Sequence, residues 1–141
     1  MMKVLVPVDG SSHSQRVIRY LVGRVRRGES LDIHVLNVQE PIDSLEMRRF
    51  KLPQEIKRMQ RKQGEERLRA ACIRLDDAGI RYKVHLVIGP VAETIARAAK
   101  QLHCEMIIMG TRGMTVLASL VLGSVATKVI HLSNVPVTLV K

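Results

Sequence analysis

The chain reads as an open, doubly wound α/β protein: a five-stranded parallel sheet with helices on both faces. Three observations carry this reading. Short apolar runs rich in β-branched residues, such as 3–8 and 106–109, lack the polar alternation of half-solvated strands and suit strands buried on both faces. Between the strands lie segments whose apolar residues recur at helical spacing, and strands alternating with helices argue for parallel pairing. Turn-forming glycines, such as Gly10, Gly89 and Gly110, stand where the strand runs end.

The first strand covers Lys3 to Val8, with Pro7 near its carboxyl end, where a missing N–H is least costly. Asp9-Gly10-Ser11-Ser12 supplies turn and cap residues, and Val17, Ile18, Leu21, Val22 and Val25 mark a one-sided helix ending by Gly28. Leu31 to Val38 is the second strand. Within it, His34 reads as a strand-surface or hydrogen-bonded core histidine rather than a ligand. From Glu40 to Leu52 the periodicity fades into a loop. A long, highly charged helix follows from Pro53, well suited to a first turn, to Ala78, with Gly79 beyond its end. Its apolar positions are Ile56, Met59, Leu68, Ala71, Cys72 and Leu75, so the gap between Met59 and Leu68 predicts a middle stretch turned to solvent or to a partner. Tyr82 to Ile88 is the third strand, closed by Gly89-Pro90. Val91, Ile95, Ala98, Ala99 and Leu102 mark another helix, and Met106 to Met109 a fourth strand. Val121, Val125, Val129 and Leu132 define the face of the last helix, and 136–140 is the fifth strand.

With 141 residues and 46% hydrophobic content, the chain suits one domain spanning 1–141. No apolar run approaches the roughly 20 residues of a membrane span, and no signal-peptide pattern opens the chain, so a cytoplasmic protein without membrane insertion is expected. Cys72 and Cys104 show neither disulfide nor zinc spacing. The net charge of +10 attracts anions. Arg16, Arg19, Arg24, Arg26 and Arg27 crowd the first helical segment, while eleven basic and seven acidic residues mix through 41–81. Tyr20, Phe50 and Tyr82 are the only aromatics, too few for base stacking, so a solvated basic surface is favoured over nucleic-acid binding.

In open α/β sheets, ligands settle outside the carboxyl ends of the strands where strand order reverses. That directs attention to Pro7, Val8 and Asp9, to Val38 and Gly89, and to Met109-Gly110-Thr111-Arg112-Gly113 with Gly123-Ser124 following. Glycines let a ligand approach the main chain, and N–H groups leading into a helix favour phosphate. The same glycines also serve a plain turn and helix start. Asp9 suits a base, a metal ligand or a helix cap. No Walker phosphate loop, dinucleotide fingerprint or nucleophile elbow occurs. No catalytic constellation is visible, and no metal site can be assigned.

The glycine pattern, Gly110-x-x-Gly113, nine residues, then Gly123-Ser124, resembles the phosphate signature of the universal stress proteins, in their nucleotide-binding branch. Val6-Pro7-Val8-Asp9-Gly10-Ser11 is similar to that family's opening strand and turn, and Asn134-Val135-Pro136-Val137 to the approach to its last strand. The resemblance implies the strand order 3-2-1-4-5 and a homodimer through the last strand. It implies ATP (or AMP), with a divalent cation such as Mg, as the ligand of a stress-response protein with slow or no hydrolysis. Adenine would lie near Pro7, Val8, Asp9 and Val38. Ribose and phosphates would run along Met109, Gly110, Arg112, Gly113, Gly123, Ser124 and Val125, with Asp9 on the ribose or metal side. The chain departs from the family where basic residues usually follow the second glycine: Met114 to Leu122 is almost uncharged. A different class of reading is an interaction module of the same fold that works through its dimer or basic surface. A third is a nucleotide-consuming enzyme.

Overall fold

A computed structural model describes residues 1–42, 45–111 and 122–141. Five strands form one parallel sheet: β1 (Met2–Pro7), β2 (Leu31–Gln39), β3 (Tyr82–Ile88), β4 (Met106–Gly110) and β5 (Val137–Val140), in the order β3-β2-β1-β4-β5. The order reverses between β1 and β4, as the resemblance implies.

Alternation along the strands divides two cores. Val4, Val6, Ile33, Val35 and Ile108 point to one face, where α1 (Ser12–Arg26) and α3 (Pro53–Asp77) cover them with Val17, Ile18, Leu21, Leu68, Ala71 and Leu75. Leu5, Leu36, Ile107 and Met109 point to the other, against α4 (Val91–Gln101) and α5 (Ser124–Leu132) through Ile95, Ala99, Ala126 and Val129. No described helix is long and apolar enough to cross a membrane.

Three local readings are corrected. The stretch 40–52 contains a short helix, α2 (Leu45–Phe50), which buries none of its residues and so has no apolar period to reveal it. The α5 face is carried by Ala126 and Val129, while Val125 and Leu132 are exposed; the helix starts at Ser124, which turns Val125 away from the sheet. Val121 lies outside the described residues.

The third correction concerns the middle of α3, which faces the sheet. Gln60 and Gly64 are buried and continue the seam from Ile56 to Leu68 at steps of four. Gln60 Nε2 donates to the Glu40 carbonyl at 2.6 Å, tying the helix to the end of β2. A Cβ on Gly64 would overlap the Leu86 side chain, with Cγ only 2.8 Å away. A mid-helix glycine, ordinarily a cost of about 1 kcal/mol against alanine, is here the condition of close approach to β3.

His34 is a buried, hydrogen-bonded core histidine. Its Nδ1 lies 2.9 Å from His85 Nε2, and the rings stack with centroids 5.1 Å apart. Its Nε2 lies 3.3 Å from Asp32 Oδ2 and makes no hydrogen bond among the described residues. Burial, then the neighbouring His34 and Lys83, hold His85 below its ordinary value of 6.5.

Two outcomes follow. Gly64→Val should lower the unfolding free energy by about 1–3 kcal/mol in urea titration, the usual range for overpacking; an unchanged midpoint would contradict the close approach. A histidine with a depressed folded-state pKa binds its proton better when unfolded, so its neutral form stabilises the fold above 6.5 and that contribution declines as pH falls below it. Urea unfolding at pH 7.5 and 5.5 should show a smaller loss for His85→Gln than for the wild type.

Candidate functional site

The carboxyl ends of β1, β2 and β4 frame a cavity of about 380 Å3 at the point where strand order reverses. Pro7, Val8 and Asp9 form its floor, Val38 and Gln39 one wall, and Met109, Gly110 and Thr111 the other. The start of α5 closes one side with Gly123, Ser124 and Val125, and Val91 and Ile95 of α4 add apolar surface. Nine of the eleven residues expected at the site thus line one cavity. The other two, Arg112 and Gly113, lie outside the described residues.

Asp9 is held by α1. Its Oδ1 accepts from Ser11 N–H at 2.9 Å and from Ser14 Oγ at 2.7 Å, while its own N–H donates to Ser14 Oγ at 2.9 Å. Ser11 caps the helix by accepting from Ser14 N–H at 3.3 Å. One Asp9 oxygen is therefore spent on the turn. Among the described residues Oδ2 makes no hydrogen bond, which leaves a hard oxygen suited to a hydroxyl or a cation such as magnesium.

On β2, hydrogen-bond direction alternates along the strand. The Leu36 carbonyl accepts from Val8 N–H at 2.8 Å on the β1 side, and the Gln39 carbonyl accepts from Gly89 N–H at 2.9 Å on the β3 side. Val38, two residues past Leu36, therefore turns its N–H and C=O toward β1, which has already ended. The next ladder bond would join Val38 N–H to the Val8 carbonyl, but the buried Asn37 side chain occupies that carbonyl at 2.8 Å. A backbone donor and acceptor are thus presented side by side at the cavity wall.

At the opposite wall, Gly123 N–H donates to the Thr111 carbonyl, and the Gly123 carbonyl accepts from Thr127 N–H at 3.0 Å. Gly123 is the N-cap of α5 and offers no side-chain cap, so the N–H groups of Ser124, Val125 and Ala126 pair with no described residue. An anion is favoured at such a terminus. The contribution of Gly123 is its position, since its own N–H is already engaged.

Sequence reasoning missed Ser14, Asn37, Gln39 and Arg67 as lining residues. Asn37 was visible as a polar break in an apolar strand, and Ser14 as a second serine at capping distance. Arg67 left no local sign, because it arrives from the middle of α3. Its Nη1 donates to the Asp9 carbonyl at 3.1 Å, and among the described residues it is the one cation lining the cavity. Among the described residues no cluster of three or more His, Cys, Asp or Glu could hold a metal.

Fold and cavity together define a doubly wound α/β domain with a ligand-sized crevice at its switch point. The chain belongs to the universal stress protein family, whose sequence profile matches residues 1–141. A universal stress protein of Thermus aquaticus is 30% identical, covering 98% of this chain and 97% of the relative. Among solved structures, that of MJ0577 of Methanocaldococcus jannaschii superposes with a TM-score of 0.84 at 27% identity, covering 99% and 95% of the two chains. A universal stress protein of Archaeoglobus fulgidus, solved in complex with dAMP, superposes at 0.69 with 22% identity over 100% and 98%.

Removing the Ser14 hydroxyl leaves Asp9 N–H and one carboxylate bond unpaired in a part-buried turn. Ser14→Ala should cost about 1–3 kcal/mol of stability in urea unfolding; a change within error would show that water replaces the hydroxyl.

Proposed function

We propose that the cavity binds an adenine nucleotide, ATP or AMP, and that the protein acts through its nucleotide-occupied state in a cytoplasmic stress response. The observation that carries this reading is the Val38 backbone pair, because a donor beside an acceptor matches the N1 and N6 positions of adenine. The α5 start, whose Ser124 and Val125 N–H groups pair with no described residue, suits the phosphates at the other wall. Gly110, Arg112, Gly113 and Gly123 complete the proposed phosphate path, and Met109 walls it. Arg67 supplies positive charge that the spacer Met114 to Leu122 lacks. The dAMP complex of the Archaeoglobus fulgidus relative supports the ligand class.

A divalent cation such as Mg would travel with the phosphates, with the free Asp9 oxygen as its one protein carboxylate. Hydrolysis is slow or absent in this reading, since the described cleft residues include no nucleophile paired with a histidine or lysine base. The protein would act as a homodimer through β5, whose outer edge has no strand beside it among the described residues. It would then report nucleotide occupancy to a regulatory protein partner. The uncharged spacer favours the rival reading, an interaction module of the same fold that binds no nucleotide.

Native mass spectrometry of the purified protein should show bound adenine nucleotide, and calorimetry should show saturable binding of ATP with magnesium. Absence of both would overturn the proposal in favour of the interaction module. Gly113→Val and Gly123→Val should each abolish binding by filling space the phosphates need; Arg67→Ala should weaken it about tenfold, as loss of a charged contact does. Light scattering should give twice the chain mass.

A further inference from the structure

Resting on the nucleotide reading above, we infer that a side-chain amide relay, Asn37 to Gln39, makes the base subsite select adenine over hypoxanthine. The Val38 backbone pair alone is degenerate. Its N–H and C=O can meet N1 and the amine of adenine or, with the base turned over, the O6 and N1–H of hypoxanthine. Discrimination needs a further group whose polarity is fixed.

The relay fixes one. The Val8 carbonyl can only accept, so the Asn37 atom 2.8 Å from it is the NH2 group. Asn37 Oδ1 therefore faces the other way, where Gln39 meets it at 2.7 Å. An acceptor there requires the Gln39 NH2 group, which leaves Gln39 Oε1 as the outer end of the relay. Asn37 is only 2% exposed, so it is held in this orientation by burial as well as by its two bonds. Gln39 lines the cavity one residue beyond Val38. Its orientation is thus dictated by a main-chain carbonyl through two hydrogen bonds. The exocyclic amine of adenine donates to Oε1; hypoxanthine meets it with its oxo group, acceptor against acceptor, or, turned over, with a C2–H, and an unmatched polar group in a partly enclosed site is costly.

Asn37 has a separate effect. By donating to the Val8 carbonyl, it competes with the next ladder bond, which is not formed, and so favours a Val38 N–H open to any base. It is a positioning residue, and Gln39 is the one that reads the base.

The test is calorimetric titration of the full chain with ATP and with inosine triphosphate, which differ at the 6-position and N1. The wild type should favour ATP by at least about tenfold. Gln39→Leu should bring the two affinities within about threefold of each other, and Gln39→Met should do the same should the first variant melt early. Asn37→Leu should instead weaken both nucleotides, because Val38 can then close onto Val8. A wild type that binds ATP with a preference unmoved by either Gln39 variant overturns the relay and leaves the nucleotide reading standing. A wild type that binds neither nucleotide overturns the nucleotide reading, and the relay with it.

Discussion

The structure depends on β1 stopping where it does. Val4, Leu5 and Val6 are fully buried and feed both cores, so this strand anchors the two helical layers at once. Each such side chain contributes about 1.5–3 kcal/mol when taken from water, and their alternation leaves no freedom to slip by one residue without inverting both faces. The strand then ends at Pro7, a residue with no N–H to extend a ladder. Its neighbours β2 and β4 run on, which opens the crevice between them. A centre of maximal order thus terminates in the one place where main-chain groups are left for something else.

Most of this fold was legible in the sequence, and the reasons are physical. Strands buried on both faces need continuous apolar runs, and helices against them need a 3.6-residue stripe, so composition and spacing had to betray both. What escaped obeys other rules. The seam of α3 passes through Gln60 and Gly64, one polar and one without a side chain, and a pattern that counts apolar residues reads such a seam as solvent-facing. Helix α2 buries nothing and carries no stripe at all. At the cavity, the chain-adjacent residues Pro7, Val8, Asp9, Gly110, Gly123 and Ser124 could be named from strand ends and glycine spacing. Arg67 could not, because only the packing of α3 beside β1 brings position 67 to Asp9.

Charge gives a second case of global and local properties parting. The net charge of +10 is substantial, yet the described lining of the cavity carries Asp9, Glu40 and Arg67. Much of the basic excess sits on outward faces, some of it in pairs such as Lys128 with Glu93 at 2.6 Å. Exposed pairs of this kind contribute little to stability and are screened by salt. The overall field can draw an anion toward the molecule, while what it meets at the cavity is mostly backbone dipole.

The hole at Gly64 sets how α3 can lie. Leu86 fits there because that position alone has no side chain; one turn along in either direction the strand would meet Gln60 or Leu68 instead. The helix therefore has a single seating on the sheet, indexed like a key by one missing Cβ. Since the same helix delivers Arg67 three positions later, the address of a cation in the cleft is written in the absence of a carbon atom at the far edge of the sheet.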